Sequence, residues 1–212
     1  MAHTDGIPLV QRHKVAGEIA GFFGEEPGGS PMAQPLGLQG LEAAESESSL
    51  KIGLTLTIWS PKPSIYENLK SATHPGDLSK WLEPTPFLYH QIRAQTGALG
   101  FARSYAKEGA DQKSVFHLNF SAVSQRIHEA FEMIEHNVGN DPVAAGDPVV
   151  RLLEIPARHI LALWLFAEAR QESRVVIIHA PKRFGGAERE VFLSSEQFYA
   201  VLRQGGSIPG VA

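Results

Sequence analysis

No cysteine occurs among the 212 residues. Its absence excludes disulfide bridges and thiolate metal sites, and it fits a reducing, cytoplasmic setting. A basic excess is missing too: 19 Lys and Arg stand against 23 Asp and Glu, a formal net charge of −4. A chain held to nucleic acid by a broad basic face shows the opposite balance, so nucleic acid is not an expected partner. No apolar run reaches the roughly 18 residues of a membrane-spanning helix. A membrane is therefore not expected as a partner either. The opening stretch MAHTDGIPLVQRHKVAG lacks the apolar segment of a secretory signal.

What is present is ordinary globular material, 43% hydrophobic and 20% charged. A chain of this length buries roughly 70% of its unfolded surface, so it needs neither a disulfide nor a metal to hold it. No cofactor is implied.

Charge divides the chain unevenly. Residues 1–50 carry two basic and seven acidic side chains, whereas residues 51–212 carry seventeen and sixteen. The segment PGGSPMAQPLGLQG (27–40) is half Gly and Pro, and LEAAESESS (41–49) is small and acidic. Neither can bury enough apolar surface to offset its ordering entropy. Residues 1–49 therefore read as an N-terminal arm, with a linker over 24–49. The arm is either a loose tail or an element docked through Ile19, Phe22 and Phe23 onto the body or a neighbouring subunit. Residues 50–212 read as a single globular domain.

Period-two alternation marks KIGLTLTIW (51–59) and SVFHLNF (114–120) as strands with one buried face. VVRLLEI (149–155), RVVIIHA (174–180) and the short VFL (191–193) complete about five strands. Three helices are marked by caps or spacing. Thr85 and Pro86 resemble an N-cap and first turn ahead of FLYHQIRAQ, with Gly97 closing it. Val123, Ile127, Phe131, Ile134 and Val138 recur at intervals of three and four. Ser194 and Gln197 form a capping-box pattern before FYAVLR. Residues 60–84 read as short helical turns, and 98–113 carry no clear assignment.

The most apolar passage, ILALWLFA (160–167), follows Pro156. Eight residues at helical rise span about 12 Å, far short of a bilayer. Apolar on every side, the passage predicts a buried helix between two parallel strands joined by a right-handed crossover. The resulting class is α+β, a mixed sheet with its helices mainly on one face. A three-layer, doubly wound α/β sheet is the alternative.

Three constellations are candidate sites. His179 ends a strand just before Lys182, Arg183 and Gly185-Gly186, an arrangement that could hold a phosphate or carboxylate. The loop has no phosphate-binding glycine signature, and Gly-Gly also serves ordinary turns. His117 and Asn119 share the less apolar side of their strand. With His179 and Asp141 or Asp147 they could assemble an acid–base site served by Ser114, Ser121, Ser194 or Ser195. None of these serines lies in G-x-S-x-G. His128, Glu132 and His136 fall one turn apart on one helix, spacing at which His and carboxylate can share a divalent metal, although a wetted charged face is the plainer explanation. His159 reads as a boundary residue, and Trp59 as a surface anchor.

No ordered catalytic signature emerges. The leading expectation is a non-catalytic interaction or assembly protein that binds a protein partner, or itself, through the N-terminal arm. The alternative is a small hydrolase or anion-handling enzyme built on His179 with Lys182 and Arg183.

Overall fold

The computed structural model describes residues 3–4, 18, 51–65, 77–93, 97, 99–106, 115–119, 122–136, 140–181 and 192–204. In chain order the elements are β1 (His3–Thr4), β2 (Lys51–Pro61), β3 (Leu82–Arg93), β4 (Leu99–Tyr105), β5 (Val115–Asn119), α1 (Ala122–His136), β6 (Val149–Ile155), β7 (Ile160–Ala167), β8 (Glu172–His179), β9 (Leu193–Ser194) and α2 (Ser195–Gln204). Strand pairing is mixed, parallel for β1/β6 and β2/β6 and antiparallel for β3/β4, β4/β5, β6/β7, β7/β8 and β8/β9. With two helices beside these strands, the class is α+β. Nine strands are described rather than about five, two of them only two residues long. The expected linker over 24–49 and the apolar trio Ile19, Phe22 and Phe23 lie outside the described residues.

Two compact units divide the chain. The first holds Met1–Asp5, Ile58–Thr85 and Arg126–Ala212, and the second holds Gly6–Thr57 and Pro86–Gln125.

In the first unit, β6, β7, β8 and β9 form an antiparallel meander. Its centre corrects the expected helix. ILALWLFA is strand β7, paired with β6 from Ile155↔Ile160 to Val149↔Phe166 and with β8 from Ala167↔Glu172 onward. The passage is as dry as its composition implies: Trp164, Leu163 and Leu165 are fully buried. Burial on every side belongs to a central strand covered on both faces as well as to a core helix. The turns decide between them. Pro156–Arg158 makes one 3-10 turn and stops because His159 adopts a left-handed conformation, φ 55°. A four-residue loop of this kind joins antiparallel strands. Residues 168–171 repeat the design, with Gln171 at φ 54°. The parallel crossover is replaced by two tight hairpins.

The face carrying Leu153, Ile155, Ala162, Trp164, Phe166, Val175 and Ile177 packs against Phe198, Tyr199, Val201 and Leu202 of α2. Each such large side chain contributes about 1.5–3 kcal/mol of burial. Helix α2 starts as expected: Ser194 Oγ accepts from Gln197 N–H at 3.2 Å and Gln197 Oε1 accepts from Ser194 N–H at 2.8 Å. Asp77 ties the unit together from the short turn Leu78–Lys80. Its carboxylate caps Ser79 N–H at 2.9 Å and accepts from Ser173 and Ser195 Oγ at 3.3 Å each.

The second unit holds strands in the order β5-β4-β3-β2, antiparallel for β5/β4 and β4/β3. The helix expected over 85–95 is strand β3, in register with β4 from Phe87↔Tyr105 to Arg93↔Leu99. Pro84 and Pro86 explain the change. Each forbids the residue before it from the helical region, so 83 and 85 are driven to extended backbone. Thr85 caps no helix; in the first unit its Oγ1 donates to the Ile58 carbonyl at 2.8 Å. Gly97 sits at φ 85° between β3 and β4, where a left-handed residue is needed. Residues 99–105, which carried no assignment, are β4. Helix α1 forms as expected and buries Ile127 and Ile134.

Candidate functional site

The expected site residues are distributed between the units. His179 lies in the first unit at the end of β8, exposed. The β7/β8 register shifts there, so that Leu161 faces His179 and Ala162 faces Ile177. Lys182 and Arg183 lie outside the described residues. His117 and Asn119 lie in the second unit on β5. Asp141 is committed elsewhere, accepting from Arg174 Nε at 2.8 Å and from the backbone N–H groups of Val143 and Ala144. Asp147 is exposed at φ 55°. Ser194 caps α2, Ser195 donates to Asp77, and Ser114 and Ser121 lie outside the described residues.

On α1, His128 Nε2 stands 3.4 Å from Glu132 Oε1. His136 turns Nδ1 to the Glu132 backbone carbonyl at 2.6 Å. Among the described residues no group of three or more His, Asp or Glu is arranged to hold a metal ion. Trp59 is half-buried rather than fully presented to solvent, with the Arg151 guanidinium 4.4 Å above its ring and the Trp164 ring 5.1 Å away, steeply inclined to it.

The polar groups that do come together are in the second unit, on residues the sequence reading did not single out. Strands β3 and β4 alternate. One face presents Leu88, His90 and Ile92, with Ser104 across from Leu88. His90 bridges three strands there. Thr55 Oγ1 lies 3.2 Å from its Nδ1 and Ser104 Oγ lies 2.8 Å from its Nε2. All three side chains are at most 1% exposed. A serine–histidine–threonine line resembles catalytic geometry, but a site sealed this well cannot meet a substrate. The network satisfies buried polar groups and pins β2, β3 and β4 in register.

The opposite face carries Tyr89, Gln91, Phe101, Arg103 and His117. Tyr89 pairs with Arg103, and Arg103 with His117, so the three form one row across the strands. Phe101 stacks between Tyr89 at 5.6 Å and His117 at 5.3 Å. Ser124, in the first turn of α1, lies beside the Tyr89 hydroxyl. Burial holds the Tyr89 phenol well above its ordinary range, while Ser124 and Arg103 pull the other way. Burial, and secondly the Arg103 charge, hold His117 below the usual imidazole value.

A period-two reading of FLYHQIR and GFARSY would have found this row. Reading the first as helix hid it. At the edge, the Glu18 carboxylate accepts from Val115 N–H at 2.7 Å, so the arm reaches the body at β5.

No helix of the described residues is long and apolar enough to cross a membrane. No protein family, curated protein or solved structure matches the chain.

Proposed function

We propose that the protein is a non-catalytic assembly module that associates with itself through its N-terminal arm. One observation carries this reading: His3–Thr4 pair in parallel with Val149–Val150 of β6. The same edge of β6 is shared, since Leu152 and Leu153 pair with Ile58 and Trp59 of β2. The arm thus completes an edge that β2 covers in part, and an unfilled stretch of edge invites strand addition. Residues 5–50 separate β1 from β2. Closing so long a loop costs little more than closing a shorter one, and the same strand from a second copy fits the same seat. Two residues of ladder hold weakly, which favours exchange over permanent docking. The Glu18–Val115 hydrogen bond is a second point of arm attachment.

Light scattering coupled to size exclusion, across a concentration series, tests the proposal. The full chain is expected to pass from monomer to dimer as concentration rises. A chain lacking residues 1–49 is expected to remain monomeric, and Thr4→Pro, which removes a backbone donor from β1, to weaken the dimer. Differently tagged full chains are expected to exchange subunits on mixing. Equal masses for full and shortened chains at every concentration, or tagged chains that never mix, overturn it.

A further inference from the structure

Among the described residues of the second unit, Gln91 Nε2 and His117 Nε2 are buried without a hydrogen-bond partner, and Tyr89 Oη and Ser124 Oγ meet at most each other. Tyr89, Gln91 and Ser124 are 2%, 6% and 0% exposed, but His117 is only half-buried, so this row, unlike the His90 network, reaches solvent. Each buried polar group left unmet costs about 1–3 kcal/mol, and native interiors keep few of them. These four are neighbours. Tyr89, Arg103 and His117 form one cross-strand row, Gln91 follows Tyr89 on the same face of β3, and Ser124 adjoins Tyr89.

Their chemistry is uniform. A phenol, a hydroxyl, an amide nitrogen and an imidazole nitrogen carrying its proton are all hydrogen donors. Arg103 adds a fixed positive charge beside both Tyr89 and His117, whatever else it contacts. The first turn of α1 contains Ser124 and no acidic residue, so it offers these donors no carboxylate. Among the described residues of this unit Glu18 is the one carboxylate, and it accepts from Val115 N–H. The missing partner is an acceptor. We propose that Tyr89, Gln91, His117 and Ser124, under the charge of Arg103, form a binding site for a small oxyanion, a carboxylate or a phosphate. The site does not depend on self-association through the arm.

The test uses the full chain with inorganic phosphate and acetate as separate probes, against chloride at equal ionic strength. One probe at least is expected to raise the melting temperature saturably and to shift the His117 imidazole resonances. Which probe does so identifies the oxyanion. Binding is expected to move the His117 titration back towards its ordinary value, because an anion favours the imidazolium. Ser124→Ala removes one of these donors. It is expected to melt higher than the parent without the anion and to bind about tenfold more weakly, the loss of one hydrogen bond. Tyr89→Phe is expected to behave likewise. The proposal is overturned if neither probe moves the His117 resonances, if chloride acts equally, or if folded Ser124→Ala and Tyr89→Phe bind as tightly as the parent. The resonance measurement needs no variant.

Discussion

The indole N–H of Trp164 donates to Ser173 Oγ at 2.9 Å across the β7/β8 pair. Trp164 is fully buried and Ser173 is 3% exposed, so no solvent replaces this partner. Ser173 Oγ in turn donates to Asp77 Oδ1, which joins the core to the turn ahead of β3. Ser173→Ala is expected to destabilise the protein by about 1–3 kcal/mol, the cost of stranding a buried donor. In a Trp164→Phe background there is no N–H to strand, and the same change is expected to cost much less. A double-mutant cycle by urea denaturation measures the difference. Equal losses in both backgrounds would show that the hydrogen bond contributes nothing.

Acid and alkali are expected to act through opposite ends of one row. His117 is held below its ordinary value in the folded state, so the unfolded chain binds its proton more readily. Its contribution to stability is complete above about pH 6.5 and is lost as pH falls through the unfolded value towards the folded one. Tyr89 is raised, so its contribution is complete below about pH 10 and is lost as pH rises beyond that. Urea midpoints between pH 5 and 8 should flatten in His117→Phe, and those above pH 9 in Tyr89→Phe. An unchanged acid slope in His117→Phe would assign the loss to other groups.

How far the residues announce the structure depends on which signal they carry. Helix α1 was legible because its apolar residues recur at three and four over four turns. Helix α2 was legible because Ser194 and Gln197 cap it reciprocally, as the two hydrogen bonds show. Strand β2 was legible from strict alternation. Failure fell where two structures share one pattern. ILALWLFA is equally dry as a strand or a helix, and its Leu and Ala favour the helix intrinsically. Pairing on both sides overrode that preference. In β3, Thr85-Pro86 imitates a helix start, yet a second proline two residues earlier makes extended backbone the common solution. The candidate site suffered most from this error. Tyr89 and Gln91 came from the misread strand and Arg103 from a stretch without assignment. Their meeting depends on the cross-strand register, which no single segment encodes.

His159 offers a direct test of the hairpin. It ends the Pro156–Arg158 turn at φ 55°, ψ 38°, and its N–H donates to the Pro156 carbonyl at 3.1 Å. A side chain in this region costs about 1–2 kcal/mol relative to glycine. Glycine returns part of that gain through its freer unfolded chain. His159→Gly is therefore expected to stabilise the protein by about 0.5–1 kcal/mol, net. His159→Val, β-branched, is expected to destabilise it, because branching leaves least room at positive φ. Gln171 holds the matching place in the next hairpin but also donates from Nε2 to the Glu168 carbonyl at 2.8 Å. Gln171→Gly loses that bond and should gain less. Urea denaturation should rank His159→Gly above the parent and the parent above His159→Val. Were residues 160–167 helical, position 159 would lie in or beside the first turn. Glycine there would then lower stability and valine would be tolerated, the reverse order.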